Sequence, residues 1–327
     1  MSQIAIQEFR QAEPASPSRT LGARFRGFCA EFWLNYFFFC AERLPRYCAW
    51  TKSFHLRYAL RHSRVIRNAT HLNGRRILGP DATPEQLADF AAGVCSSFFD
   101  FVYDVGRTRQ MSQAQLLGLV ESVEGHERYE QMRSAGKGAI VVTAHMGSFE
   151  VGLAALIEHE PEPIHVVFKR DRRSRFEQIR TALRQRLGVR EAAIDEGWTI
   201  WMRLRDALLA NQVITLQGDR VMPGQKGQAV PFLHGHLLLP TGPIKLAAAS
   251  GAPVVPIFSL RTPEGRIRIH IEEPIWVDPH AALVDGAHPA LLQMAAVIER
   301  YVQAHPQQWL LLHPAFIEET HGPEVRA

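Results

Sequence analysis

The segment Thr143-Ala144-His145-Met146-Gly147-Ser148-Phe149-Glu150 places an imidazole five residues ahead of a carboxylate, directly after the strand-like run Ala139–Val142. Within one helix this spacing separates the two side chains by about 140°, because each residue advances about 100°. They can meet if His145 lies in the turn leaving a strand and Glu150 in the first turn of the next helix. That arrangement suits a general base and its orienting carboxylate, which together can deprotonate a hydroxyl. Gly147 removes a side chain where a substrate or a neighbouring backbone needs close approach. Ser148 can cap the helix, and the positive helix end favours an ionised Glu150. A lone His-x-x-x-x-Glu is a frequent chance match, so its context must carry the reading.

Three further segments bear chemistry. Gln217-Gly218-Asp219-Arg220, followed by Met222-Pro223-Gly224-Gln225-Lys226-Gly227, comes after a second strand-like run and suits an anionic group. Its structural alternative is a polar turn with an Asp-Arg pair. Lys169-Arg170-Asp171-Arg172-Arg173 leads to Arg184-Gln185-Arg186-Leu187-Gly188 and would put Lys169 and Arg170 on the sheet edge shared with His145 and Asp219. The plainer reading is a solvated basic helix. Phe232-Leu233-His234-Gly235-His236 precedes Leu239-Pro240-Thr241-Gly242-Pro243, which has helix-start chemistry. His234 and His236 lack further ligands at metal-site spacing, so no metal is expected.

The elements that must position these groups alternate. Strand-like runs at 139–143, 164–168, 213–217, 254–260 and 267–271 are separated by helical segments 149–158, 174–187, 198–210 and 243–250. Helix 291–304 and a strand-like 309–312 follow. This predicts an α/β fold, with a mixed, mostly parallel central sheet covered by helices on both faces. Before it, Thr83 and Pro84 mark the start of a helix running to about Val105. A basic helical stretch spans Leu56–Leu78. Residues 1–20 read as a flexible tail, 21–80 as a basic, aromatic helical arm, and 81–320 as the α/β domain.

The arm is the compositional anomaly of the chain. The net charge is only +4, yet residues 1–80 hold thirteen Lys/Arg against Glu8, Glu13, Glu31 and Glu42. Phe25, Phe28, Phe32, Trp33, Tyr36, Phe37, Phe38 and Phe39 crowd one stretch with Arg24, Glu31, Asn35 and Glu42 as its polar stripe. These aromatics cluster with aliphatic residues rather than interleaving with Arg, which favours a membrane surface over nucleic acid. The apolar run is shorter than the roughly 20 residues a span requires. A core helix is the alternative. The amino terminus does not read as a signal peptide, and four cysteines without a Cys-x-x-Cys read as reduced thiols.

Taken in order, these motifs resemble the bacterial lipid A biosynthesis acyltransferase family, within the wider lysophospholipid acyltransferase superfamily. His145 and Glu150 resemble its His-x-x-x-x-Asp/Glu. Val167–Arg170, Arg184–Gly188, Gly218–Arg220, Phe232–Gly235, Pro240–Pro243, Gly251–Pro256 and Pro306–Trp309 resemble its later segments. The resemblance implies an enzyme on the cytoplasmic side of the cell inner membrane, peripheral or monotopic. It would move a fatty acyl group from an acyl-carrier-protein or coenzyme A thioester to a lipid hydroxyl, with no cofactor beyond that co-substrate. It assigns catalysis to His145 and Glu150, and substrate binding to Lys169, Arg170, Gly218, Asp219, Arg220 and Gly242. Gly-Asp-Arg departs from the family's commoner acidic form, which leaves the acceptor open among a lipid A precursor, a glycolipid, an aminolipid and a lysolipid. A thioesterase using the same base and a non-catalytic lipid-binding protein are the competing classes. No Gly-x-Ser-x-Gly elbow points to a serine hydrolase.

Overall fold

The computed structural model describes residues 36–108, 111–169, 175–222 and 225–317. The expected tail, most of the first aromatic run and Arg170 lie outside these residues.

A seven-stranded sheet has the order β1-β9-β8-β2-β5-β3-β4. Its strands are β1 (Val120–Glu124), β2 (Ala139–Thr143), β3 (His165–Phe168), β4 (Arg190–Ala193), β5 (Val213–Gln217), β8 (Val254–Arg261) and β9 (Ile267–Ile271). β8, β2, β5, β3 and β4 run parallel, and the β8–β9 pair is antiparallel. The central strands are buried on both faces, so their sequences are continuous apolar runs rather than alternating ones. β6 (Gly227–Phe232) and β7 (Gly235–Pro240) form a separate antiparallel hairpin.

The helices are α1 (Pro45–His62), α2 (Arg64–Leu78), α3 (Pro84–Thr108), α4 (Gln113–Leu117), α5 (His126–Arg133), α6 (Phe149–His159), α7 (Arg175–Arg186), α8 (Trp198–Leu209), α9 (Gly242–Ser250) and α10 (Pro289–Ala304). Two apolar clusters flank the sheet. One joins β2 and β8 to α8, α9 and α10 through Ile140, Leu204, Phe258 and Met294. The other joins them to α5 and α6 through Val141, Tyr129, Val151 and Val255. Helices on both faces follow from that two-sided apolar pattern.

The basic stretch breaks at Ser63, whose hydroxyl accepts from the Ile66 amide and caps α2. Thr83 caps α3, as the sequence indicated, and Gln86 completes a capping box with it. The run 309–312 is no sheet strand. It is a strap crossing the sheet's carboxyl edge, bridged at Trp309 to Met146. β1, β4 and the β6–β7 hairpin were absent from the sequence reading. Glu-rich β1 and the short, Arg-led β4 carry little apolar signal.

In the arm, Phe38, Cys40 and Ala41 are buried, and Phe38 packs on Val105 of α3. Tyr47, Trp50, Phe54 and Tyr58 line one exposed side of α1, and Trp50 is 79% exposed. Among the described residues, no helix is long and apolar enough to cross a membrane.

Candidate active site

β2 and β5 are adjacent and parallel, so their carboxyl ends deliver residues 145 and 219 to the same edge. His145 Nδ1 lies 2.7 Å from Asp219 Oδ1. Asp219 is fully buried, and its Oδ2 accepts a hydrogen bond from Trp309 Nε1 at 2.8 Å. Both carboxylate oxygens are therefore held, which fixes the orientation of the imidazole. The His145 side chain keeps 20% of its surface exposed, leaving its other nitrogen toward the opening.

The expected pairing of Glu150 with the imidazole is not what the structure contains. Glu150 does occupy the first turn of α6, and His145 does lie in the turn leaving β2. Yet Glu150 Oε1 accepts from Arg180 Nε of α7 at 3.0 Å, and its buried Oε2 has no hydrogen-bond partner. The physical reason lies in strand adjacency. Asp219 leaves the neighbouring strand already facing the histidine, whereas α6 carries Glu150 away toward α7. Ser148 holds the cap position, but its buried hydroxyl makes no capping bond.

Close packing explains the glycines. Gly147 has φ +57°, and an added Cβ would lie 2.0 Å from the Ser259 carbonyl oxygen. A neighbouring backbone, rather than a substrate, claims that space. At Gly218 a Cβ would meet Val142 at 2.6 Å, and its N–H donates to Thr143 O at 2.8 Å. Gly218 thus lets Asp219 turn in behind β2. Gly242 opens α9 against the Trp201 ring, which an added Cβ would meet at 3.3 Å, so its evident role is helix packing.

Electrostatics favour a neutral imidazole beside an ionised carboxylate. Burial pulls the His145 pKa below its ordinary value; Asp219 opposes that, while Arg220 and Arg180 reinforce it. For Asp219 burial pushes upward, but His145, Arg220 and the Trp309 N–H together hold the carboxyl far below the usual carboxylate range. Arg220 is half-buried beside this pair. Lys169 follows β3 on the same edge, half-buried. Arg184 stacks on the Phe168 ring at 4.5 Å and bonds Glu191, while Arg186 donates to Thr108 O and Met111 O. That basic element is therefore chiefly structural. His234 and His236 are exposed on the hairpin, and among the described residues no three metal-ligating side chains converge.

Trp309, Arg180 and the strap were not read as site parts from the sequence. Arg180 and Trp309 lie 35 and 164 positions from residue 145, and only the fold brings them to it. An imidazole backed by a carboxylate, open on its other nitrogen, and flanked by cationic side chains can deprotonate a hydroxyl and stabilise a developing negative charge.

Comparison with known proteins agrees with this chemistry. The family described as bacterial lipid A biosynthesis acyltransferase matches residues 57–318. Among similar chains are the phosphatidylinositol mannoside acyltransferases of two Mycobacterium tuberculosis strains. The CDC 1551 / Oshkosh protein is 24% identical over 277 residues, covering 80% of each chain. The H37Rv protein is 24% identical over 272 residues, with the same coverage.

Proposed function

This chain belongs to the bacterial lipid A biosynthesis acyltransferase family, and we propose that it transfers a fatty acyl group from an acyl thioester to a hydroxyl of a glycolipid. The observation that carries the assignment of roles is the 2.7 Å contact between His145 Nδ1 and Asp219 Oδ1. Asp219 holds Nδ1 as the protonated nitrogen, so Nε2 is the basic one. Nε2 takes the acceptor hydroxyl proton as the oxygen bonds to the thioester carbonyl carbon. The carbonyl π electrons move to oxygen. They return as the carbon–sulfur bond breaks, and the thiolate leaves with the proton from His145 or from water. Asp219 stays ionised and stabilises the transient imidazolium.

Arg220 adds positive potential where the oxyanion forms. Lys169, at the exit of β3, contacts the donor or acceptor headgroup, and the same role is proposed for Arg170 from its sequence position. The donor is an acyl-carrier-protein or coenzyme A thioester, and the chemistry asks for no other cofactor. A glycolipid acceptor is supported by two names, since lipid A precursors and phosphatidylinositol mannosides both carry sugar hydroxyls. The exposed aromatic side of α1, flanked by Arg46, Arg57 and Arg61, supports peripheral seating on the anionic cytoplasmic face of the inner membrane.

Purified protein in lipid micelles, given a labelled acyl thioester and a panel of hydroxylated lipids, tests this. Label should move to a glycolipid in the wild type and not in His145→Ala. Fatty acid released equally without acceptor would instead establish a hydrolase. Full transfer by His145→Ala would remove the base assignment.

A further inference from the structure

The strap after α10 does more than supply Trp309. Leu310 N–H donates to His145 O at 2.8 Å, so the strap is tied to the backbone of the base itself. Three residues later, the His313 carbonyl accepts from Asn73 Nδ2 of α2 at 2.8 Å, and Asn73 Oδ1 accepts from Ala315 N–H at 3.0 Å. Asn73 is 1% exposed. Ile317 N–H then donates to His236 O at 2.9 Å, and Phe316 packs on Phe232 and Trp309. His313 is therefore held on both sides by backbone bonds that do not involve its ring.

The ring itself is uncommitted. Among the described residues, no hydrogen bond reaches either nitrogen of His313. The side chain is half-buried, on a strap whose Leu310 and Trp309, three and four residues earlier, bond His145 O and Asp219 Oδ2. A half-buried polar ring on a strap bonded to both members of the His–Asp pair, and itself without a protein hydrogen bond, can donate to a ligand atom.

Resting on the acyl-transfer reading above, we propose that His313 is a further catalytic residue, whose neutral imidazole N–H donates to the thioester carbonyl oxygen. As the acceptor oxygen bonds to the carbonyl carbon, the π pair becomes the third lone pair on that oxygen. The His313 bond strengthens with that charge, and no proton crosses it. When the carbon–sulfur bond breaks, the pair returns and His313 is unchanged. Burial, reinforced by Arg220 and His145, pulls the His313 pKa down to about 4, so the ring stays neutral through the working range.

Full-length protein with palmitoyl-coenzyme A and the acceptor found active in the wild type tests the role. His313→Ala keeps the backbone bond to Asn73 and should unfold as the wild type does, yet lose about 10²–10³-fold in kcat with KM nearly constant. His313→Gln retains an N–H and should recover at least about tenfold over the alanine variant. A second measurement uses palmitoyl-coenzyme A labelled with ¹³C at the thioester carbonyl, bound to His145→Ala. The carbonyl stretch should shift to lower frequency there and return toward its solution value in His145→Ala/His313→Ala. A kcat within about threefold of wild type in His313→Ala, or an unchanged stretch in the double variant, overturns the role of His313 and leaves the base intact. Absence of any thioester binding to the wild type overturns both readings together.

Discussion

His145 and Asp219 are 74 positions apart, and their side chains meet at 2.7 Å because β2 and β5 are parallel neighbours. The buried carboxylate has its second oxygen occupied by Trp309, so it cannot swing away from the ring. The imidazole is thereby held in one tautomer. Asp219→Asn should lower kcat by about 10²–10⁴-fold, since an amide can stabilise the wrong tautomer.

The pH profile separates the neighbours of His145. The base must be neutral, so the acid limb of kcat/KM should have its midpoint below the ordinary histidine value of 6.5. Asp219 raises the His145 pKa and Arg180 lowers it. Asp219→Asn should therefore move the limb to lower pH, and Arg180→Met should move it to higher pH. Shifts in the same direction would refute the charge assignments.

Glu150 is paired with Arg180 rather than with His145. Its side chain is 5% exposed and the Arg180 side chain 18%, so breaking the pair leaves a poorly solvated charge. Glu150→Gln should cost about 2–4 kcal/mol in urea unfolding. Combined with Arg180→Met it should cost less than the sum of the two single changes. Strict additivity would show that the contact carries no coupling.

Gly147 is required by its neighbour's backbone. Alanine there would place Cβ 2.0 Å from Ser259 O at a φ of +57°. Gly147→Ala should destabilise by more than about 4 kcal/mol or prevent folding. Gly136, at φ +66° with nothing within 4 Å, provides the comparison. Gly136→Ala should cost only about 1–2 kcal/mol, the left-handed penalty alone. Equal costs in thermal unfolding would mean that strain, not the clash, dominates.

The exposed side of α1 has a separable role. Trp50, Phe54 and Tyr58 are 79%, 63% and 60% exposed, so their replacement should leave the unfolding midpoint unchanged within about 0.5 kcal/mol. Trp50→Ser/Phe54→Ser/Tyr58→Ser should reduce partitioning to anionic vesicles by at least about 100-fold. Wild-type binding should weaken with salt, because the flanking arginines contribute through a screened field. Unchanged vesicle binding in the triple variant would place the membrane contact elsewhere.

Much of this protein was set down in local sequence. Apolar runs at 139–143 and 213–217 coincide with β2 and β5, because a strand buried on both faces must be continuously apolar, while 267–271 coincides with β9 through its alternating Ile-Arg-Ile-His-Ile pattern. The starts of α3 and α6 were readable from Thr83-Pro84 and Ser148, and so was the place of His145 at a strand exit. Local signals reach only a few residues, however, and the partner of the base depended on which strand lies beside β2. Strand order is a property of tertiary packing, so Glu150 was the apparent partner and Asp219 the actual one. The strap likewise reads as a sixth strand-like run, and only its bonds to His145, Asp219 and Asn73 make it part of the site. Sequence determined which residues could do chemistry. The fold decided which of them touch, because long-range contacts are fixed by the joint burial of all the strands and helices at once.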